Sequence, residues 1–229
     1  MSLQLKVWGN FALFSRPETK SEPQTYPAII PTAARGILES IFWKPEFHYQ
    51  LHQAKVLNPI KFLELKINNV DSRINPKDVI NWSINKTGGF ISSQHRTQRN
   101  YVLLKNVAYV IEFDIVLEPC TKNGLRKYLK QFSDRVENGR CFQRPFFGCK
   151  EHVAYFEWAT GEEKVAPELL HLTIDMGAVP YDVSFTPSET NQRFYNQTFD
   201  KQTGERGFKP GYMQATYKNL KIDNGIIVF

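Results

Sequence analysis

The stretch Pro31-Thr32-Ala33-Ala34-Arg35-Gly36-Ile37-Leu38-Glu39-Ser40-Ile41-Phe42-Trp43-Lys44-Pro45 reads as one short helix. Ala34, Ile37, Leu38 and Ile41 follow the three-four spacing of a buried helical face. Thr32 is placed to cap the first free N–H groups and Pro45 forbids continuation. Arg35, Glu39 and Phe42 fall on a flank beside the apolar face. Gly36, unfavourable inside a helix by about 1 kcal/mol relative to alanine, marks either a close-packing point or the approach of another backbone or a ligand. Packing is the commoner reason.

Strand patterns lie on both sides of this helix. Leu3, Leu5 and Val7 alternate with Gln4 and Lys6, and Phe11 to Phe14 resumes the pattern after Gly9-Asn10, where a bulge or a turn would both fit. Arg16 to Pro27 is a polar loop containing Pro17, Pro23 and Pro27. Beyond Pro45, Phe47, Tyr49 and Leu51 alternate with His48, Gln50 and His52, and Lys61 to Lys66 is extended. Residues 68–100 are rich in Asn, Ser and Lys and read as a long, basic, partly mobile excursion. Tyr101 to Leu104 and Val107 to Leu117 read as strands joined by a turn at Lys105-Asn106. Asn123 to Glu137 carries a helical stripe of Leu125, Tyr128, Leu129, Phe132 and Val136, and Asn138-Gly139 stops it. Val153 to Trp158 is a further strand.

The order strand, helix, strand, strand, helix, strand predicts an α+β fold, a ferredoxin-like (RRM-like) βαββαβ domain over 1–158. Strand patterns at Leu169 to Ile174, Val179 to Phe185, Tyr212 to Leu220 and Gly225 to Phe229 predict a small antiparallel β domain over 159–229. Asp223-Asn224-Gly225 gives a hairpin turn, and Thr186 to Pro210 is polar and turn-rich.

The 229 residues carry 29 Lys and Arg against 23 Asp and Glu, a formal charge of +6, which favours a polyanionic partner such as nucleic acid. No run approaches the roughly 20 apolar residues of a membrane helix. The N-terminus, Met1 to Val7, lacks a signal-peptide pattern, and three cysteines without framework spacing fit a cytoplasmic protein. Walker, dinucleotide and serine-elbow motifs are absent. Cys149 and His152 form one close pair where zinc needs two, so neither metal nor cofactor is expected. The loop from Gly139 to Lys150 combines Arg140, Arg144 and Lys150 with Phe142, Phe146 and Phe147. It reads either as an RNA contact, with arginines for phosphate and rings for unpaired bases, or as a connection with core phenylalanines.

Several blocks together carry a family likeness. Trp8-Gly9-Asn10-Phe11-Ala12-Leu13-Phe14, Tyr26, the Pro31 to Pro45 helix, Val56-Leu57-Asn58-Pro59-Ile60, Leu104 to Ile111, Phe142 to Glu151 and Asp223 to Ile227 resemble the Cas-five protein of type I-C (Dvulg subtype) CRISPR systems. The resemblance implies a metal-independent endoribonuclease that cuts the CRISPR repeat transcript by 2′-OH attack. It also implies retention on the 5′ handle of the guide as a subunit of the effector complex, in antiviral defence. Partners implied are repeat RNA, guide RNA, the other subunits and double-stranded DNA. The alternative is a non-catalytic guide-RNA scaffold.

Relatives are implied to use a tyrosine in the first helix and a Lys-His pair at the start of the second. Here those positions are Phe42 and Lys127-Tyr128. Lys127 suits charge stabilisation at the phosphate. Phenols ionise only near pH ~10, so the base stays open among Tyr128, Tyr26, His48 and His95, and Tyr128 also fits the apolar stripe. Arg35, Lys44, Arg96, Arg99, Arg126, Arg140, Arg144 and Lys150 are the expected RNA contacts.

Overall fold

The computed structural model describes residues 2–191 and 193–229; Met1, where the reading of the N-terminus begins, and Gln192, within the stretch read as turn-rich, lie outside them. The elements run β1 (Leu3–Ala12), α1 (Pro31–Ile41), β2 (Phe47–Val56), β3 (Phe62–Val70), α2 (Pro76–Asn85), β4 (Arg96–Leu117), α3 (Leu125–Glu137) and β5 (Tyr155–Trp158). They continue with β6 (Thr173–Pro187), β7 (Phe194–Phe199), β8 (Arg206–Asp223) and β9 (Ile226–Val228). Among the described residues these strands form one sheet path, β5-β1-β4-β2-β9-β8-β6, with β3 on β4 and β7 on β8. Every pairing is antiparallel.

The period-two pattern sorts the side chains. Leu5 and Val7 of β1, Phe47 and Tyr49 of β2, and Tyr109, Ile111 and Phe113 of β4 point into one core. Ala34, Ile37, Leu38 and Ile41 of α1 and Tyr128, Phe132 and Val136 of α3 cover it. Phe132 seats its ring 5.5 Å from Phe113, 6.0 Å from Tyr49 and 5.6 Å from Trp158. Each such buried side chain contributes about 1.5–3 kcal/mol relative to exposure. No helix among the described residues is long and apolar enough to cross a membrane.

Several local readings are corrected. Ile30, not Thr32, is the N-cap of α1, and no side chain caps it; Pro31 takes the first helical position, where its missing N–H leaves no donor orphaned. The helix ends at Ile41, before Pro45 is reached. Strand β1 runs straight through Gly9, where a Cβ would lie 2.6 Å from the Val153 carbonyl oxygen and 2.9 Å from the Phe147 ring. Packing therefore explains Gly9. It does not explain Gly36, where a Cβ would meet nothing within 4 Å.

Residues 68–100 are not a structureless loop. Strand β3 pairs with Arg96–Leu104 of β4 in a long ladder, and α2 sits at its far end, with Asn75 Oδ1 accepting the Lys77 N–H at 3.1 Å. None of the α2 side chains is buried. Lys105-Asn106 is no turn either. Asn106 takes φ +54° and β4 continues through it, held by Asn58 Nδ2 on the Asn106 carbonyl at 2.9 Å and by the Lys105 N–H on Lys61 O at 2.9 Å. Downstream, β6 starts at Thr173, after a short 3-10 turn at Pro167–Leu169, and β7 occupies part of the stretch read as turn-rich. The turn at Asn224-Gly225 has φ +48° and +70°, as a two-residue I′ hairpin requires.

The β7–β8 turn docks on the segment leading into α3. Lys201 Nζ and His48 Nδ1 both reach Glu118 Oε1, at 2.7 and 2.8 Å, and the Cys120 N–H donates to Lys201 O at 3.0 Å. Burial works to raise the Glu118 carboxyl pKa, but the bonds from Lys201 and His48 outweigh it and hold the group below its ordinary range. A depressed carboxyl stabilises the fold above its unfolded pKa, and that stability is lost as pH falls through the folded value. Glu118→Gln is therefore expected to cost about 1 kcal/mol at pH 7, since both partners are well exposed. Thermal melts across pH should show the gap from wild type closing at acid pH; a constant gap would point to lost packing instead.

Candidate functional site

Helix α3 starts after the N-cap Gly124, and its first turn points two adjacent residues in different directions. Lys127 is exposed, with Nζ 3.1 Å from Asn123 Oδ1. Tyr128 turns inward and is 1% exposed; its ring lies 5.3 Å from Phe47 and its hydroxyl 3.5 Å from Asn123 Nδ2. Asn123 thus touches both residues. Phe42 packs against Phe47 at 5.4 Å and is 2% exposed. The fold brings the α1 and α3 positions together around one ring, yet presents Lys127 alone of these three to solvent.

The C-terminal end of α1 is held from several sides. Leu38 O accepts the Phe42 N–H, Ser40 O accepts the N–H groups of Phe142 and Gln143 at 2.9 and 3.0 Å, and Tyr49 Oη donates to Phe42 O. Arg135 of α3 donates to Ile41 O at 2.5 Å and lies 4.9 Å over the Phe42 ring. These contacts satisfy helix-end carbonyls that would otherwise be orphaned. Sequence reading missed Arg135 and Asn123 in these roles. The position of Arg135 in the last turn of α3 was the available signal.

The other base candidates lie in different settings. Tyr26 is buried, donates to Ala178 O of β6 at 2.8 Å and carries the Arg16 guanidinium 4.7 Å over its ring. Burial, then the Glu18 charge, push its phenol pKa up. His48 is bound to Glu118. His95 pairs with Ser72 Oγ at 2.7 Å and stacks on Phe90 at 4.6 Å, out on the β3–β4 ladder.

The basic residues form separate groups. Arg126 on α3, and Arg140, Arg144 and Lys150 on the loop from 139 to 150, are exposed. Arg96 and Arg99 stand on the first half of β4, and Arg99 donates to Ser21 O at 2.9 Å. Arg35 is ion-paired with Asp182 of β6, and Lys44 is half-buried with its carbonyl on the Phe47 N–H. The loop from 139 to 150 combines both of its readings. Phe147 is fully buried, its N–H on His152 O at 2.8 Å and its carbonyl on the Leu13 N–H at 3.0 Å. Phe142 is 84% exposed. Among the described residues no three His, Cys, Asp or Glu side chains converge as a metal site would require.

A family model described as CRISPR-associated protein (Cas_Cas5), of the Cas5d type, matches residues 2–219. A protein of Thermus thermophilus named CRISPR pre-crRNA endoribonuclease Cas5d is 37% identical over 97% of this chain and 89% of its own. A protein of the same name from Mannheimia succiniciproducens is 32% identical over 96% of this chain and 93% of its own. A solved structure titled as a CRISPR-associated protein has a TM-score of 0.60 at 18% identity, covering 100% of this chain and 91% of the other. A functionally uncharacterized protein from Streptococcus mutans has a TM-score of 0.59 at 16% identity, covering 100% and 92%. The structural likenesses speak for the fold alone; on the family match over almost the whole length, together with the two relatives, the chain belongs to the Cas5d family of CRISPR-associated proteins.

Proposed function

We propose that this protein is an endoribonuclease that cuts the CRISPR repeat transcript, then stays on the 5′ handle of the guide as a subunit of a type I-C effector complex. The carrying observation is the pair of full-length relatives named as pre-crRNA endoribonucleases. The exposed Lys127 at the head of α3 supports it. In the reaction the 2′-oxygen attacks the adjacent phosphorus and the 5′-oxygen leaves, giving a 2′,3′-cyclic phosphate and a 5′-hydroxyl. This route needs alignment and charge stabilisation rather than a metal. Lys127 supplies positive charge at the phosphate. Arg126, Arg140, Arg144 and Lys150 hold neighbouring phosphates, and double-stranded DNA is a further polyanion suited to such surfaces.

The strand order β5-β1-β4-β2, with α1 and α3 feeding one core, supports a ferredoxin-like unit over 1–158. Residues 159–229 then form a smaller β unit continuing the sheet. Phe42 lacks a hydroxyl, Tyr128 is enclosed and Tyr26 is committed to Ala178. With no base positioned by these three residues, turnover is slower than in a complete site by about 10²–10⁴-fold. The same observations favour the scaffold as second reading.

Incubating the protein with its repeat RNA in EDTA, beside an RNA carrying a 2′-deoxy nucleotide at the cut position, separates the two. Slow cleavage lost with the 2′-deoxy substrate is expected. Tight binding with no product over days would leave the scaffold.

A further inference from the structure

We infer that the groove beside Gly36 is a binding slot for one unpaired nucleobase of the RNA, an inference that rests on the proposed function. The groove measures about 340 Å³ and runs between the end of β1, the outer flank of α1 and the loop from 139 to 150. Phe14, Ala33, Gly36, Ser40, Phe146 and Gly148 are among its lining residues, and none of the lining residues is charged.

Gly36 gives the first argument. Glycine is unfavourable in a helix interior, and a Cβ here would meet nothing within 4 Å. No packing inside the chain calls for the missing side chain. A side chain at this position would occupy only the groove. The hydroxyl of Ser40, on the same flank, is already committed to the Gly36 carbonyl at 2.6 Å, which leaves the slot largely apolar.

Charge around the slot gives the second. The loop that walls it carries Arg144 and Lys150, both exposed, on either side of the lining residues Phe146 and Gly148. At the Ser40 end, the backbone N–H of Phe142 is fixed to the Ser40 carbonyl while the ring stands in solvent. An uncharged slot, walled by a loop with an exposed cation two residues before Phe146 and another two residues after Gly148, and with an exposed ring anchored at one end, matches a single-stranded nucleotide: base in the slot, phosphate on the loop cations, next base stacked on Phe142.

Gly36→Leu, in the full chain, tests this by anisotropy with the repeat RNA and by thermal unfolding. The melting temperature is expected to hold or rise, because leucine favours helix and its Cβ would meet nothing within 4 Å, while affinity falls about tenfold, in the range of a lost base contact. A folded Gly36→Leu protein that binds as tightly as wild type overturns the slot and leaves the proposed function standing. A wild-type protein that does not bind repeat RNA overturns both. Should the variant not fold, wild type decides alone, with repeat RNAs carrying single abasic positions. One position losing about tenfold supports the slot, and a flat scan overturns it. Unchanged RNA affinity with loss of binding to another subunit would assign the groove to protein, which also overturns the inference.

Discussion

Gly148→Ala is expected to lower stability by more than about 3 kcal/mol, a large share of the roughly 5–15 kcal/mol that keeps a domain folded. Gly148 has φ +83°, a conformation that costs other residues about 1–2 kcal/mol by itself. The larger effect is steric. An added Cβ would overlap the Leu13 carbonyl and approach Phe14 N at 3.3 Å. These are backbone atoms that cannot swing aside, since the Leu13 N–H is bonded to Phe147 O and the Phe14 N–H to Thr25 Oγ1 at 3.0 Å. Gly161→Ala provides the control: it has φ +85° and a Cβ that would meet nothing within 4 Å. Denaturant unfolding should show a loss of only about 1 kcal/mol there. Equal losses at the two positions would refute the clash.

Lys127→Ala is expected to reduce the single-turnover cleavage rate by about 10²–10³-fold, the scale of removing one donor to a developing oxyanion. Binding of repeat RNA should change far less, with the salt slope reduced by about one phosphate contact. Lys127 is exposed, so the melting temperature should stay put. Lys127→Arg keeps the charge and should recover part of the rate. Tyr128→Phe is the companion measurement. If the phenol only packs against Phe47, the rate is unchanged; a large rate loss with a native melt would place its hydroxyl in the chemistry after all. Rates insensitive to Lys127→Ala would remove this lysine from the mechanism.

The apolar periodicities of α1, β2 and α3 were legible in the sequence because burial on one face writes a clear pattern. The same holds for the Asn224-Gly225 turn, whose left-handed backbone needs those residues. The excursion at 68–100 was misread because a ladder without a core behind it carries no such pattern. Its helix signal, Asn75 before Pro76, was present but isolated. Lys105-Asn106 looked like a turn since asparagine tolerates positive φ, and the pairing with β1 on both sides, with the bonds to Asn58 and Lys61, keeps the strand running. The Lys127 and Tyr128 pair was located from the α3 pattern and the family likeness. What sequence could not supply was direction: that Tyr128 and Phe42 flank Phe47, that Tyr26 reaches across to β6, and that the space beside Gly36 stays open. Each depends on contacts between segments distant in the chain.

The short strand β9 has a consequence for solubility. Three residues, Ile226–Val228, sit between β2 and β8 and pair with both. Without them, two strands would each offer unpaired backbone donors and acceptors to another copy of the chain, the usual template for edge-to-edge aggregation. Its tie to β8 passes through the Asn224-Gly225 turn, where a Cβ on Gly225 would also strike Val165. Damage to that tight turn would therefore appear first as loss of soluble protein, well before any change in RNA handling could be read.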